Sequence, residues 1–490
     1  MILSCATRPL LDRNAPKEMH EGPEAGSRTF AWRRLPIGCA LIALVAACSG
    51  HRDVLDVRPP EDGGKGEPAV IIPETACSDQ LLNYQETDVD CGGPHCHPCE
   101  VDLRCRSGSD CATGACDDSF CVLASSPPFW LPFVSLSTAR STHAAATYVS
   151  SDQRAKLVVL GGFLDKQLDT YEVFDPETSS WEGGQLPGAP CCRASAATGP
   201  DGKVYFVYGD KHQTWAYSDF WKSSLAAPPP GCVHAGPALG ADGLLYVLCS
   251  QESQLPANWF MTYDTASDSW VTLQPAPTDA FDPPRVTSLG SRIYVSSPND
   301  GNHHAYDIDT RAWSKLAQFP VPTAIAGAPD GRVYAVAGFD GKAGQATAEV
   351  YAYRPQTNRF TAVAPLKSRR YDHAVTIGPD GRLYALGGST GSANTASVEA
   401  YGPVISISPT TVAIGEIIRL SGYNFAAHAN VQIYVGGVLG NGTVIGTTNA
   451  EGALPAPVDL TVVDALPGGN AITVVDDKSR YPATIRFTVR

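Results

Sequence analysis

An all-β chain made of repeated small sheets is the fold class this sequence predicts, on three observations. A unit of apolar run, Pro-Asp-Gly turn, second apolar run and third apolar run recurs at a step of about 45 residues. Gly 46 and Pro 39 against only 3 Met point to short strands and many turns. No long stretch keeps the 3.6-residue apolar period of a helix. One small sheet cannot bury both of its faces, so such units must stack on copies of themselves. A period of roughly 40–50 residues is the mark of a propeller, and six copies are expected here.

The clearest copy is Arg369 to Tyr401, RRYDHAVTIGPDGRLYALGGSTGSANTASVEAY. Second-strand tyrosines mark the period at Tyr205, Tyr246, Tyr294, Tyr334 and Tyr384. The first copy reads Arg140-Ser-Thr-His143-Ala, then Leu160-Gly161-Gly162, then Tyr171-Glu-Val-Phe-Asp175-Pro, then Trp181. At these residues the pattern resembles kelch repeats, which implies four strands per copy with the tryptophan on the fourth. Copies two to four are more divergent, with Tyr263-Asp264 and Trp270 in the third and Tyr306-Asp307 and Trp313 in the fourth.

The sixth copy stops at Tyr401 without a fourth strand, and Phe129-Trp130-Leu131-Pro132 stands alone before the first. That orphan is expected to complete the last sheet and shut the ring, so that no open edge is left. Tyr and Trp at these spacings are read as core with their polar ends bonded at the rim. The Pro-Asp-Gly turns at 200–202, 329–331 and 379–381 are read as hairpin turns on one uniform face.

The first 48 residues are read as a lipoprotein signal peptide. Arg33 to Cys48 has a basic start, a short apolar core and small residues before a cysteine, too short to span a membrane. Val45-Ala46-Ala47-Cys48 resembles the bacterial lipobox, which implies lipid attachment at Cys48 and, with Ser49 following, an outer-membrane or cell-surface lipoprotein of a Gram-negative bacterium. Beyond residue 47 the chain holds 30 basic and 46 acidic groups, a net charge near −16. That argues against nucleic acid as a partner and leaves membrane attachment to the acyl chains. Residues 49–76 are Pro-, Gly- and charge-rich and read as a disordered tether with a reach of about 30 Å.

Eight cysteines follow within residues 77–124: Cys77, Cys91, Cys96, Cys99, Cys105, Cys111, Cys116 and Cys121. An even count in an exported segment too small for its own core implies disulfides, of undecided connectivity. Cys96-His97-Pro98-Cys99 has zinc-like spacing but no matching second pair, so no metal is expected there. Glu86-Thr87-Asp88-Val89-Asp90 is read as solvated acid rather than a calcium loop. With Cys91-Gly92-Gly93 it resembles short modules that act as spacers in Gram-negative surface proteins. Cys191, Cys192, Cys232 and Cys249 suggest a further bridge, between two neighbouring blades.

From Pro403 the alternation of short strands with Gly and Pro reads as an antiparallel sandwich over 403–490. Ile405-Ser-Ile-Ser-Pro409 and Leu420-Ser-Gly422-Tyr-Asn424-Phe425 resemble the IPT/TIG immunoglobulin-like family. The expected fold is therefore a six-bladed kelch-type propeller over 125–402 and an immunoglobulin-like sandwich, preceded by a small disulfide-rich module.

Loops after the second strands differ in every copy, so binding is expected on that face. The candidate residues are His212, Asn299, His303 and His304 in those loops, with Arg140, Arg285, Arg370 and His373 at first-strand starts around the channel mouth. For the arginines and histidines the competing reading is bonding to neighbouring backbone carbonyls. No nucleophile elbow, phosphate loop or zinc-protease helix is present. A propeller followed by a sandwich is also the layout of galactose-oxidase-like copper enzymes. Their Tyr-His ligand pair is missing, however, and the last domain's one histidine is His428. The chain thus reads as a non-catalytic, cofactor-free surface protein that binds a protein or glycan, with a copper radical oxidase or other carbohydrate-active enzyme as the alternative.

Overall fold

The structure, a computed structural model, describes residues 2–4 and 76–490, apart from 84, 100–102, 113–115, 118–119, 122–127, 177, 188–194, 209–212, 223–224, 231, 233, 251–258, 278–284, 297–301, 319–323, 436–441 and 464–466. The lipid-attachment residue Cys48 and the tether over 49–75 lie outside the described residues, as do Cys191, Cys192, His212 and Asn299. The described residues belong to one compact unit.

The architecture is all-β, with helix present among the described residues only as the 3-10 turns Ala76–Ser78 and Gly108–Asp110. Six four-stranded antiparallel sheets follow one another between Trp130 and Tyr401. The first is Ala144–Val149, Ala155–Leu160, Thr170–Asp175 and Ser180–Gln185, in spatial order equal to chain order. Apolar second and third strands are buried on both sides, as in Val333–Asp340 and Leu383–Leu386. That burial on both faces is what stacked sheets impose on a central strand.

The first strands lie side by side in a closed circuit. Ala144–Val149 neighbours Ser195–Thr198, and the sequence continues through His234–Leu239, Arg285–Leu289, Ala324–Gly327 and Ala374–Ile377, which returns to Ala144–Val149. Threonine hydroxyls stitch these strands together: Thr147 Oγ1 donates to the Ile377 carbonyl at 2.5 Å, and Thr287 Oγ1 accepts the Gly327 N–H at 2.7 Å. At the outer side, tryptophans on fourth strands donate to the sheet before them: Trp181 to the Val134 carbonyl and Trp270 to the Ala226 carbonyl.

The sixth sheet takes its fourth strand from upstream. Trp130–Phe133 pairs antiparallel with Val398–Tyr401, Trp130 opposite Tyr401 and Phe133 opposite Val398. This is the arrangement expected from the orphan strand. Burying Trp130, which is 1% exposed, against Tyr401 at 5.4 Å gives the join an apolar centre.

In the cysteine module the bridges are Cys77–Cys96, Cys91–Cys99, Cys105–Cys116 and Cys111–Cys121. The acids expected to be merely solvated instead hold its turns. Glu86 accepts the Asn83 N–H, Asp88 the Arg104 N–H and Asp90 the Gln80 N–H. A segment with almost no apolar core gains order from charge-assisted bonds to its backbone. The bridge expected between two sheets is also different. Cys232 pairs with Cys249 inside the third sheet, joining the approach to its first strand to its second strand.

Residues beyond Val404 form two packed sheets, one containing Val404–Ser408, Ile417–Tyr423 and Val458–Val463, the other five-stranded. Their shared core includes Leu420, Phe425, Val431, Leu460, Ile472 and Phe487. Ile2–Ser4 runs parallel to Val458–Val463 at the edge of the first sheet.

Candidate functional site

The two ends of the sheets differ in how their loops are built. At one end four of the six hairpin turns are copies of each other. Gly202, Gly243, Gly331 and Gly381 take φ between 76° and 84°, a left-handed conformation that glycine adopts without a steric penalty. The preceding aspartate accepts a backbone N–H two residues on, and its other oxygen accepts the hydroxyl of the second-strand tyrosine. These bonds are Tyr205 to Asp201 at 3.1 Å, Tyr246 to Asp242 at 2.9 Å, Tyr334 to Asp330 at 2.6 Å and Tyr384 to Asp380 at 2.8 Å. Every polar tip is therefore engaged within its own turn, and little is left for a ligand.

At the other end, the candidate arginines are structural. Arg140 has no exposed surface; its Nη1 donates to the Gly161 carbonyl at 2.8 Å and its Nη2 to Glu172 at 2.6 Å. Glu172 in turn accepts the N–H groups of Ser137 and Thr138. Arg370 repeats the pattern with the Gly387 carbonyl, Glu399, and the N–H groups of Lys367 and Ser368. The guanidinium thus holds the glycine pair, and the carboxylate holds the loop leading into the strand.

The histidines are buried where neighbouring sheets meet. His143 faces the Leu386 carbonyl of the sixth sheet, and His373 the Val336 carbonyl of the fifth. Burial, reinforced by the Arg140 charge, pushes the His143 pKa down to about 3. Burial with the nearby Arg370 and Arg285 charges drives His373 well below its ordinary value. His303 and His304 open the third strand His303–Asp307 rather than sitting in a loop, and both are buried. The His303 ring packs against Tyr353 at 5.0 Å, and desolvation pushes its pKa down to about 3.

Arg140, Arg370, His373, His303 and His304 therefore do not form an accessible face, because their side chains are spent inside the sheets. Of the described candidates, Arg285 alone reaches the surface. It extends past the fifth sheet to Asp372 of the sixth, 3.7 Å away, with both side chains partly exposed. Beside it, Thr142 and Asp372, third residues of the two Arg-x-x-His runs, both take φ of 51°, and the Thr142 N–H donates to the Asp372 carbonyl at 2.8 Å. A β-branched residue in that region is strained and is held there by its surroundings.

Sequence reasoning missed Glu172 and Glu399. The signal was there: each follows its arginine by about 30 residues on the third strand, at the Glu of Tyr171-Glu172 and Val398-Glu399. In the fifth copy the equivalent place, opposite Ala335, is taken by Tyr351, and no arginine stands at the start; the nearby Glu349 is exposed.

Among the described residues, side chains come together at metal-ligand spacing as Cys105, Cys111 and Cys121 and as Cys77, Glu86 and Cys96. All of those cysteines are in disulfides. His428 lies exposed in a turn of the last domain, His303 and His304 are neighbours on one strand, and His143 and His373 are buried on the first and sixth sheets. Neither metal-spaced cluster among the described residues contains a histidine.

Comparison with known proteins gives one family match, the Kelch motif, over residues 326–367. The F-box protein AFR of Arabidopsis thaliana is 30% identical over 144 residues, 27% of this chain; the chain covers 38% of that protein's length. Among solved structures, a fungal alcohol oxidase in complex with copper shares 14% identity over 74% of this chain and 99% of its own, with a TM-score of 0.44. The structure of YjhT shares 12% identity over 56% of this chain and 97% of its own, with a TM-score of 0.42. The fifth sheet thus carries a kelch motif, and the repeated four-stranded sheets around it fit a propeller.

Proposed function

We propose that the chain is a non-catalytic surface protein, anchored through a lipidated Cys48 at a Gram-negative outer membrane, whose six-bladed propeller binds a protein or glycan with its varied loops. One observation carries this reading: the chain joins the propeller and leaves it at the same end. The closing strand begins at Trp130, opposite Tyr401, and Tyr401 leads directly into the sandwich. That end carries the Pro-Asp-Gly turns, since the Thr484 N–H donates to the Asp380 carbonyl there. The strand that enters the propeller and the sandwich that follows it therefore meet one face, and the loops after the second strands lie at the opposite end. An uneven, outward face opposite a uniform, attached one is the arrangement expected of a binding scaffold on a stalk. The kelch motif fits a protein-binding scaffold, and the last domain is read as immunoglobulin-like of the IPT/TIG type.

The test is a binding screen of the purified chain against glycans and envelope proteins, repeated with His212→Ala and Lys342→Glu in the varied loops. Loss of a detected interaction in these variants, with unchanged melting, is the expected result. Stoichiometric copper together with peroxide production would overturn the non-catalytic reading in favour of an oxidase.

A further inference from the structure

Three described loops join on the varied face without a break. Asn394 Nδ2 donates to the Phe163 carbonyl at 2.7 Å. Ser389 pairs through its backbone with Tyr371, at 2.9 and 2.8 Å, and bridges to Asn394. Phe339 packs edge-on against Tyr371 at 5.3 Å. The result is a strip running from the fifth sheet across the sixth to the first. Phe339 and Phe163 stand at its ends, 41% and 39% exposed, and hydroxyl and amide groups lie between them.

The strip carries almost no field. The first-sheet loop has two acids and one base, Asp165, Asp169 and Lys166, and the fifth-sheet loop has one of each, Asp340 and Lys342. Residues 389–394 have no charge at all, and Arg285 is matched by Asp372 beside Tyr371. Arg369, alongside, donates to Gln345 Oε1 at 3.0 Å. A strip so nearly balanced gives little steering to an ionic ligand, and the whole chain, at −14, repels acidic ones.

We infer that this strip is a binding subsite for an uncharged oligosaccharide. A sugar ring offers an apolar C–H face to an aromatic side chain and hydroxyls to neutral donors and acceptors, and the strip supplies both in one rigid row. The inference rests on the proposed binding role of the varied face and adds the class of ligand.

The test titrates the full chain with cellohexaose, maltohexaose and chitohexaose, with hexagalacturonate as the anionic comparator and a panel of purified envelope proteins beside them. Phe163→Ala and Phe339→Ala are run in parallel; the residues are 39% and 41% exposed, so melting is followed in both and should shift little. The expected result is binding of at least one neutral hexasaccharide, insensitive to salt between 0.1 and 1 M, and about tenfold weaker in each variant. Preference for hexagalacturonate, or neutral binding that survives both substitutions, would overturn the subsite. Binding of envelope proteins alone, lost in the variants, would overturn the sugar assignment while the role of the face stands. Binding of any ligand that ignores every varied-loop substitution would overturn both.

Discussion

The Asn424 side chain holds both backbone groups of Phe129: its Oδ1 accepts the Phe129 N–H and its Nδ2 donates to the Phe129 carbonyl, each at 2.9 Å. The same Nδ2 also donates to the Gly402 carbonyl at 2.9 Å. One amide of the sandwich thus clamps the residue that precedes the closing strand and the residue that follows the last sheet's third strand. Tyr481 completes the junction, fully buried and 5.5 Å from Tyr401.

Asn424→Ala should destabilise the chain by about 2 kcal/mol, because backbone groups at a partly buried junction lose their partners. Asn424 sits at φ of 61°, so Asn424→Gly keeps the backbone at ease while removing the amide. Both variants should lose similar stability in urea and exchange faster at the amides of Trp130–Phe133. A glycine variant as stable as the parent would locate the effect in the backbone instead.

Glu399→Ala should cost about 3–5 kcal/mol, since it strands the buried Arg370 guanidinium and frees the Lys367 and Ser368 N–H groups. Glu172→Ala should behave the same way through Arg140. Glu349→Ala, an exposed acid on the third strand of the fifth sheet, should stay within about 0.5 kcal/mol. Chemical denaturation of the three variants side by side gives the comparison. Equal effects would mean that the buried pairs contribute nothing beyond a surface acid.

Acid should unfold the protein through its histidines. His143 and His303 stay neutral in the fold down to about pH 3, and His373 lower still, whereas an unfolded histidine titrates near pH 6.5. Their contribution is complete above about pH 6.5 and falls, by up to about 1.4 kcal/mol per pH unit for each, as the pH drops toward 3. His373→Asn should flatten the dependence of melting temperature on pH between 6 and 4 relative to the parent. An unchanged slope would place the acid sensitivity elsewhere.

Removing one tyrosine hydroxyl at a turn should cost about 1 kcal/mol: Tyr334→Phe and Tyr384→Phe lose bonds to Asp330 and Asp380. In the fourth sheet the turn carries Gly290 in place of that aspartate, so Tyr294→Phe loses no such carboxylate bond and should cost less. Thermal melts of the three variants decide it.

The strands and turns were legible because the repeat recurs, with a second-strand Tyr in five copies and an Asp-Gly turn in four. The closing strand was legible because Trp130 had no partner of its own and the sixth copy had no fourth strand. The roles of the polar residues were not. Arg370 and His373 look like ligand-binding groups along the chain, and only the fold brings Glu399 and the Val336 carbonyl to them. Likewise the acids at 86–90 read as solvated until the segments they hold, around Gln80 and Arg104, are brought alongside. Long-range partners of charged groups carry no local period, so pattern reasoning has nothing to detect.

The pairing of Trp130 with Tyr401 also sets a timetable. A ribosome makes the closing strand first and its partner about 270 residues later, so the earliest strand must wait for nearly the last. Until then Trp130–Phe133, and then the third strand of the sixth sheet, present a bare edge, the surface through which unfinished chains stick to one another. A chain halted anywhere before Val398 has no way to hide those edges, which makes the arrival of Val398–Tyr401 the step that turns a sticky intermediate into a self-contained ring.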